Sequence, residues 1–282
     1  MSVNYLPSNK NERVQLAVTP ETAGWKYLSF SVLNHDDGAA FEDQRDGLET
    51  AIVPLSGSGT FEINGTRYEL SRTSVFEAMP MVLYVHPGES IKLLEGGTLL
   101  FAIGSAPAEG VYPTRLHLPH EMRSEIRGGG SAFRQVNHIL AAPMPAERLI
   151  LFEVYVPRGC WSGWAPHCHD GHDGSPYLEE TYYFRLQPDN GFWMHRNWRD
   201  GDFNDVMSGQ DGDCAMVPKG YHSSVCCPGS HMFFLNFLAG DLIQDKRSTP
   251  PCFHSDFTWI EEDWEQGAWN LPIVKKPKPP GQ

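Results

Sequence analysis

Residues 84–106 read YVHPGESIKLLEGGTLLFAIGSA, and residues 216–240 read MVPKGYHSSVCCPGSHMFFLNFLAG. In outline each runs strand, proline, glycine, strand, glycine-containing turn and apolar strand, a faint internal repeat within 282 residues. A unit that recurs in each half predicts a duplicated β-domain, and roughly 140 residues per copy suffices to enclose a core. The boundary is expected near residues 125–140, with Gly128-Gly129-Gly130 as part of a linker, dividing the chain into 1–130 and 131–282.

The flanking sequence continues the pattern. Short runs rich in β-branched and aromatic residues fall at 27–33, 51–55, 59–63, 67–70, 82–85, 91–94 and 98–103, joined by Asn64-Gly65, His86-Pro87-Gly88 and Gly96-Gly97. The second half repeats the style at 149–156, 181–186, 192–197, 214–217, 223–226 and 231–238. Such runs with tight turns predict antiparallel strands in a sandwich or barrel. The 27 glycines and 22 prolines suit many turns and few long helices. The tail KKPKPPGQ (275–282) has no apolar content and is expected to be loose.

Charge limits the partners. With 35 acidic against 22 basic residues the chain carries −13, which repels phosphate backbones and anionic lipid heads, so neither nucleic acid nor a membrane is expected as a partner. An anionic substrate would need local positive charge, from a metal ion or a placed arginine. No stretch approaches 18 consecutive apolar residues, and MSVNYLPSNKNERVQ at the start has no secretory-type apolar run. The six cysteines all follow residue 159 and read as reduced thiols, which points to a cytoplasmic protein.

The chemistry is concentrated in PHCHDGHDGSPYLEETYYFR (166–185) and VPKGYHS (217–223). On a strand, side chains two apart share a face, so His167 and His169 can reach one ion while Cys168 points away. Glu180 opens a strand-like run after a turn-rich loop, and His222 follows Pro218 and Gly220 in a turn. Three imidazoles and a carboxylate suit one divalent ion: zinc, manganese, iron or nickel.

The order His-x-His, Glu, Pro-x-Gly-x-His resembles the metal-binding motif pair of the cupin superfamily. More closely, the chain resembles the 5-deoxy-glucuronate isomerase (IolB) family of myo-inositol catabolism. The residues that carry this are VTPETAGWKYLSF (18–30), SVFEAMPMVLYVHPG (74–88), APHCHD (165–170), LEETYYFRLQPDNGF (178–192), VPKGYH (217–222) and LNFLAGD (235–241). The resemblance implies two tandem cupin domains, an all-β fold, with His167, His169, Glu180 and His222 as ligands. It also implies an aldose–ketose isomerisation of a deoxy-uronic acid, 5-deoxy-D-glucuronate to 5-dehydro-2-deoxy-D-gluconate. The family usually has Lys where this chain has Cys168, His-Arg where it has Phe184-Arg185, and Gln-Arg where it has His195-Arg196; the loop 170–176 also differs. The N-terminal half lacks both metal motifs, with His86 alone in the corresponding turn, and is expected to be a structural cupin.

An isomerase of this kind needs a proton carrier and a cation for the substrate carboxylate. His195 is the candidate base, or alternatively a histidine packed against Trp193 or Trp198. Tyr182 shares parity with Glu180 and can donate to a substrate oxygen, or be a core aromatic; Glu179 has the opposite parity. Arg196, Arg185 and Lys219 are the candidate cations, each otherwise a solvated surface residue. The same ligand set could serve a metal-dependent cupin dioxygenase, and the fold could serve a non-catalytic sugar-acid-binding protein. The expected partner is a small sugar acid, and self-association into a homo-oligomer is compatible with the sequence.

Overall fold

The computed structural model describes residues 2–35, 40–271, 273 and 274. The tail 275–282 lies outside the described residues. The fold is built from antiparallel strands in three sheets. A nine-stranded sheet holds the N-terminal half, running from Arg115–His117 through Val82–Val85, Leu48–Ile63, Thr98–Pro107 and Ser29–His35 to Val14–Val18. It curls around an interior of apolar side chains, among them Ile52, Phe61, Leu83, Ile91, Phe101 and Ile103. Burial of so many aliphatic and aromatic groups is the main stabilising contribution to this half.

The C-terminal half is a seven-stranded sheet facing a five-stranded one. The larger sheet runs Tyr5–Leu6, Cys214–Val217, Leu178–Gln187, His231–Gly240, Ile150–Val156, Arg134–Leu140 and Arg123–Arg127. The smaller runs Phe203–Gly209, Trp193–Arg199, Tyr221–Cys226, Trp161–Cys168 and Cys252–Phe253. Between them lie Val154, Phe184, Trp193, Met207, Met232 and Phe234.

The centre of the larger sheet is buried on both faces, which is why His231–Gly240 reads as an almost unbroken apolar run. Alternation along its strands assigns the faces. Tyr182, Phe184 and Phe234 look into the C-terminal half, whereas Tyr183, Leu235 and Phe237 pack with Phe30, Val53 and Ala102 of the N-terminal half. At the closest approach a Cβ on Gly104 would stand 2.4 Å from the Phe237 ring, so only glycine lets the two halves meet there.

Buried carboxylates stitch the halves together. Glu49 accepts the backbone N–H groups of Glu147, Arg148 and Leu149, and Glu179 accepts those of Lys26, Tyr27 and Leu28. Arg72 forks onto Glu153 at 2.6 and 3.0 Å, with both side chains fully buried. Each satisfies charge that would be costly to bury alone.

Two sequence readings change. Residues 125–140 are not a linker: Arg123–Arg127 and Arg134–Leu140 form a hairpin on the edge of the C-terminal sheet, with the three glycines in its connection. The expected division at residue 130 falls inside that hairpin, and Tyr5–Leu6 also crosses over to pair with Cys214–Val217. His222 lies in the Tyr221–Cys226 strand rather than in a turn, and Glu180 is the third residue of its strand.

Candidate active site

His167 pairs in register with His222 across neighbouring strands, and His169 follows the last residue of the Trp161–Cys168 strand. The ring centroids of His167 and His222 are 4.5 Å apart, and those of His169 and His222 are 5.0 Å apart. One nitrogen from each of the three rings lies within 4.8 Å of the others, the one such cluster among the described residues. Glu180 comes from the opposite sheet, with Oε2 2.9 Å from His169 Nε2 and 3.3 Å from His222 Nε2. The expected parity holds: Cys168 turns away and packs with Trp198 and Tyr221.

Backbone carbonyls fix the ring orientations. His169 Nδ1 faces the Leu178 carbonyl oxygen at 2.9 Å, and His222 Nδ1 faces that of Gly220 at 3.4 Å, which leaves both Nε2 atoms pointing at Glu180. His222 Nε2 is buried and makes no hydrogen bond of good geometry among the described residues. An orphaned imidazole nitrogen beside two further imidazoles and a carboxylate is the donor set of a divalent cation site, and these residues fit such an ion.

Electrostatics set the histidines apart: burial opposes a charge on His169, but Glu180 outweighs it and raises its pKa. Burial, and then the neighbouring His222 and His169, hold His167 well below the ordinary histidine range. Burial opposes the Glu180 charge, but His169 and His222 outweigh it and keep the carboxyl far below its usual range. Burial and then Glu180 push the Tyr182 hydroxyl well above the usual tyrosine value, so at neutral pH it remains a proton donor.

His167, His169, Glu180 and Tyr182 lie on the wall of a cavity of about 620 Å³, and His222 is buried behind it. Its floor is a row of residues opposite one another on adjacent strands of the larger sheet: Tyr182, Asn236, Phe152, His138 and Arg123. Pro250, Phe253, Glu261 and Trp264 of the C-terminal segment reach its mouth.

With this geometry in view, comparison with known proteins is decisive. The KduI/IolB family profile matches residues 4–260. The chain belongs to the KduI/IolB family. Members similar to it include a 5-deoxy-glucuronate isomerase of Geobacillus thermodenitrificans, 36% identical over 87% of this chain and 90% of that protein. Another, of Geobacillus kaustophilus, is 35% identical over 93% and 96%. Among solved structures, an IolB-like protein of Salmonella typhimurium superposes with a TM-score of 0.85 at 30% identity, covering 91% of this chain and 98% of that one. An oxalate decarboxylase of Bacillus subtilis, at 13% identity and a TM-score of 0.59, covers 86% and 78% and shares the fold, which is that of the cupins.

Within this KduI/IolB member the structure brings together His167, His169, Glu180, His222 and Tyr182, and separates the rest of the expected set. His195 is 1% exposed and lies behind His222, off the cavity wall, with its rings' nitrogens committed to Ser224 Oγ and Asn197 Oδ1, each at 2.8 Å. Burial and then His222 push its pKa down to about 3, and with both nitrogens engaged off the cavity wall it offers none to a substrate proton. Arg196 faces the other side of its strand, lies over the Trp198 ring and donates to Asn204. Arg185 is paired with Asp211, and Lys219 sits over Phe203 near Asp202. None of these three reaches the cavity wall.

The cations that do reach it went unseen in the sequence: Arg123, Arg127, Arg134 and Arg247, with His138. A signal was present, since Arg123, Glu125 and Arg127, then Arg134, Val136 and His138, recur with the period of two expected of strands. The Gly-Gly-Gly between them masked it.

Proposed function

We propose that this chain is a 5-deoxy-glucuronate isomerase whose chemistry is centred on His167, His169, Glu180 and His222. The observation that carries the reading is the convergence of three imidazoles and one carboxylate, with His167, His169 and Glu180 on the wall of a cavity and His222 buried directly behind them. Interconverting an aldose and a ketose moves one proton from C2 to C1 while O1 and O2 exchange theirs, so it needs no outside oxidant. A divalent ion held by these four residues would act as a Lewis acid and stabilise the charge that develops on those two oxygens.

The protein supplies the remainder. Tyr182, its hydroxyl kept protonated by burial and by Glu180, stands on the same wall to donate to a substrate oxygen. Phe152, Trp164, Phe234 and Leu238 give the cavity apolar walls that limit water at the reacting carbons. The free cysteines fit a reducing, cytoplasmic setting.

The test is to incubate protein loaded with zinc, manganese, iron or nickel with 5-deoxy-D-glucuronate and follow it by NMR in deuterated water. The expected result is loss of the aldehyde, appearance of the C2 ketone and deuterium at C1. Turnover of a different uronic acid would keep the reaction class and replace the substrate. Oxygen consumption without sugar-acid turnover would overturn the isomerase.

A further inference from the structure

A protein of charge −13 must offset its own field where it binds an anion, and a guanidinium with free donors is the side chain best matched to a carboxylate. The cavity wall carries four arginines, and three are already engaged. Arg123 and Arg127 both pair with Glu125, at 3.1 and 2.5 Å. Arg247 is buried with Nε and both terminal nitrogens donating to the carbonyls of Leu149, Gln244 and Met144.

Arg134 differs. Its one hydrogen bond is from Nη1 to the Ala132 carbonyl at 3.0 Å, and no carboxylate pairs with it among the described residues. The backbone makes room for it: a Cβ on Gly128 would stand 2.9 Å from Nη1 and 2.3 Å from the Ala132 oxygen, and Gly128 holds φ at +72°. The head group is therefore seated and its other nitrogens are uncommitted. It lines the same cavity as His167, His169, Glu180 and Tyr182. Burial and then Arg127 lower its pKa to about 10, so it is still charged at neutral pH but poorly compensated.

We propose that Arg134 is the carboxylate receptor of the cavity, binding the acid end of the sugar while its carbonyl end lies at His167, His169, Glu180 and His222. The assignment rests on the isomerase reading above. It makes Arg134 the residue that selects a uronic acid over a neutral sugar, the role for which the sequence alone offered Arg196 and Arg185.

The experiment compares 5-deoxy-D-glucuronate with its uncharged amide as substrates for the wild-type protein and for Arg134→Met and Arg134→Lys. The wild type should prefer the acid at least tenfold in kcat/KM. Arg134→Met should raise KM for the acid about 10- to 150-fold with kcat changed much less, and should leave KM for the amide near its wild-type value. Arg134→Lys, which keeps the charge and loses the fork, should fall between, and serves where the Met variant does not fold. Equal use of acid and amide by the wild type, or an unchanged acid preference in either variant, would overturn the assignment while leaving the isomerase intact. Failure of the wild type to turn over the acid overturns both.

Discussion

Glu179 and Glu180 are adjacent in the Leu178–Gln187 strand and serve opposite faces of one sheet. The Glu179 carboxylate takes the backbone N–H groups of Lys26, Tyr27 and Leu28 at 2.6, 2.9 and 2.8 Å, while Glu180 Oε2 faces His169 and His222 at 2.9 and 3.3 Å. One carboxylate fastens the N-terminal half and its neighbour belongs to the site.

The two should therefore fail differently. Glu179→Gln loses charge-assisted bonds in a dry setting and should cost about 3 kcal/mol in denaturant unfolding. Glu180→Gln should abolish tight metal binding with a far smaller effect on the metal-free protein's midpoint. Equal losses of stability would contradict this division.

Elemental analysis should find one divalent ion per chain. His169→Ala should remove it. His86→Ala should retain it, because the His86 ring faces the Tyr112 carbonyl and belongs to no ligand cluster among the described residues. Two ions per chain at full occupancy would refute a single site.

His195 should behave as a structural residue. Its replacement by Phe leaves Ser224 and Asn197 without their partner in a buried setting, at a cost of about 2–4 kcal/mol by the usual penalty for such groups. Thermal unfolding should report that loss. Turnover per bound metal ion should stay within a few fold of wild type, and a loss of kcat beyond a hundredfold at unchanged metal content would restore His195 as the base.

His117 should set part of the acid limit of stability. Neither ring nitrogen has a hydrogen-bond partner among the described residues, and burial, then Arg115, hold its pKa down to about 4. The unfolded chain takes up that proton near pH 6.5. The contribution is therefore intact above about pH 6.5 and lost as the pH falls toward 4, about 3 kcal/mol in all. His117→Gln should flatten the stability profile over that window in urea unfolding, and an unchanged slope would show that other groups carry it.

The sequence by itself determined the fold class and which of the clustered histidines share a face, because both depend on local rules. A strand has a period of two, so His167 and His169 share a face and Cys168 does not, whichever sheet they join. Turn residues between short β-branched runs likewise specify antiparallel strands without reference to the remainder of the chain. The cation facing the site was decided only by tertiary structure. Arg196 and Arg134 look alike as charged residues on strands. The first is turned outward onto Trp198, and the second is carried into the cavity by a hairpin that the sequence presented as a glycine linker. The burial of His195 was equally invisible, since it depends on Ser224 and Asn197 being placed at its two ring nitrogens. Alternation tells which residues share a face; what that face meets is settled by how the sheets stack.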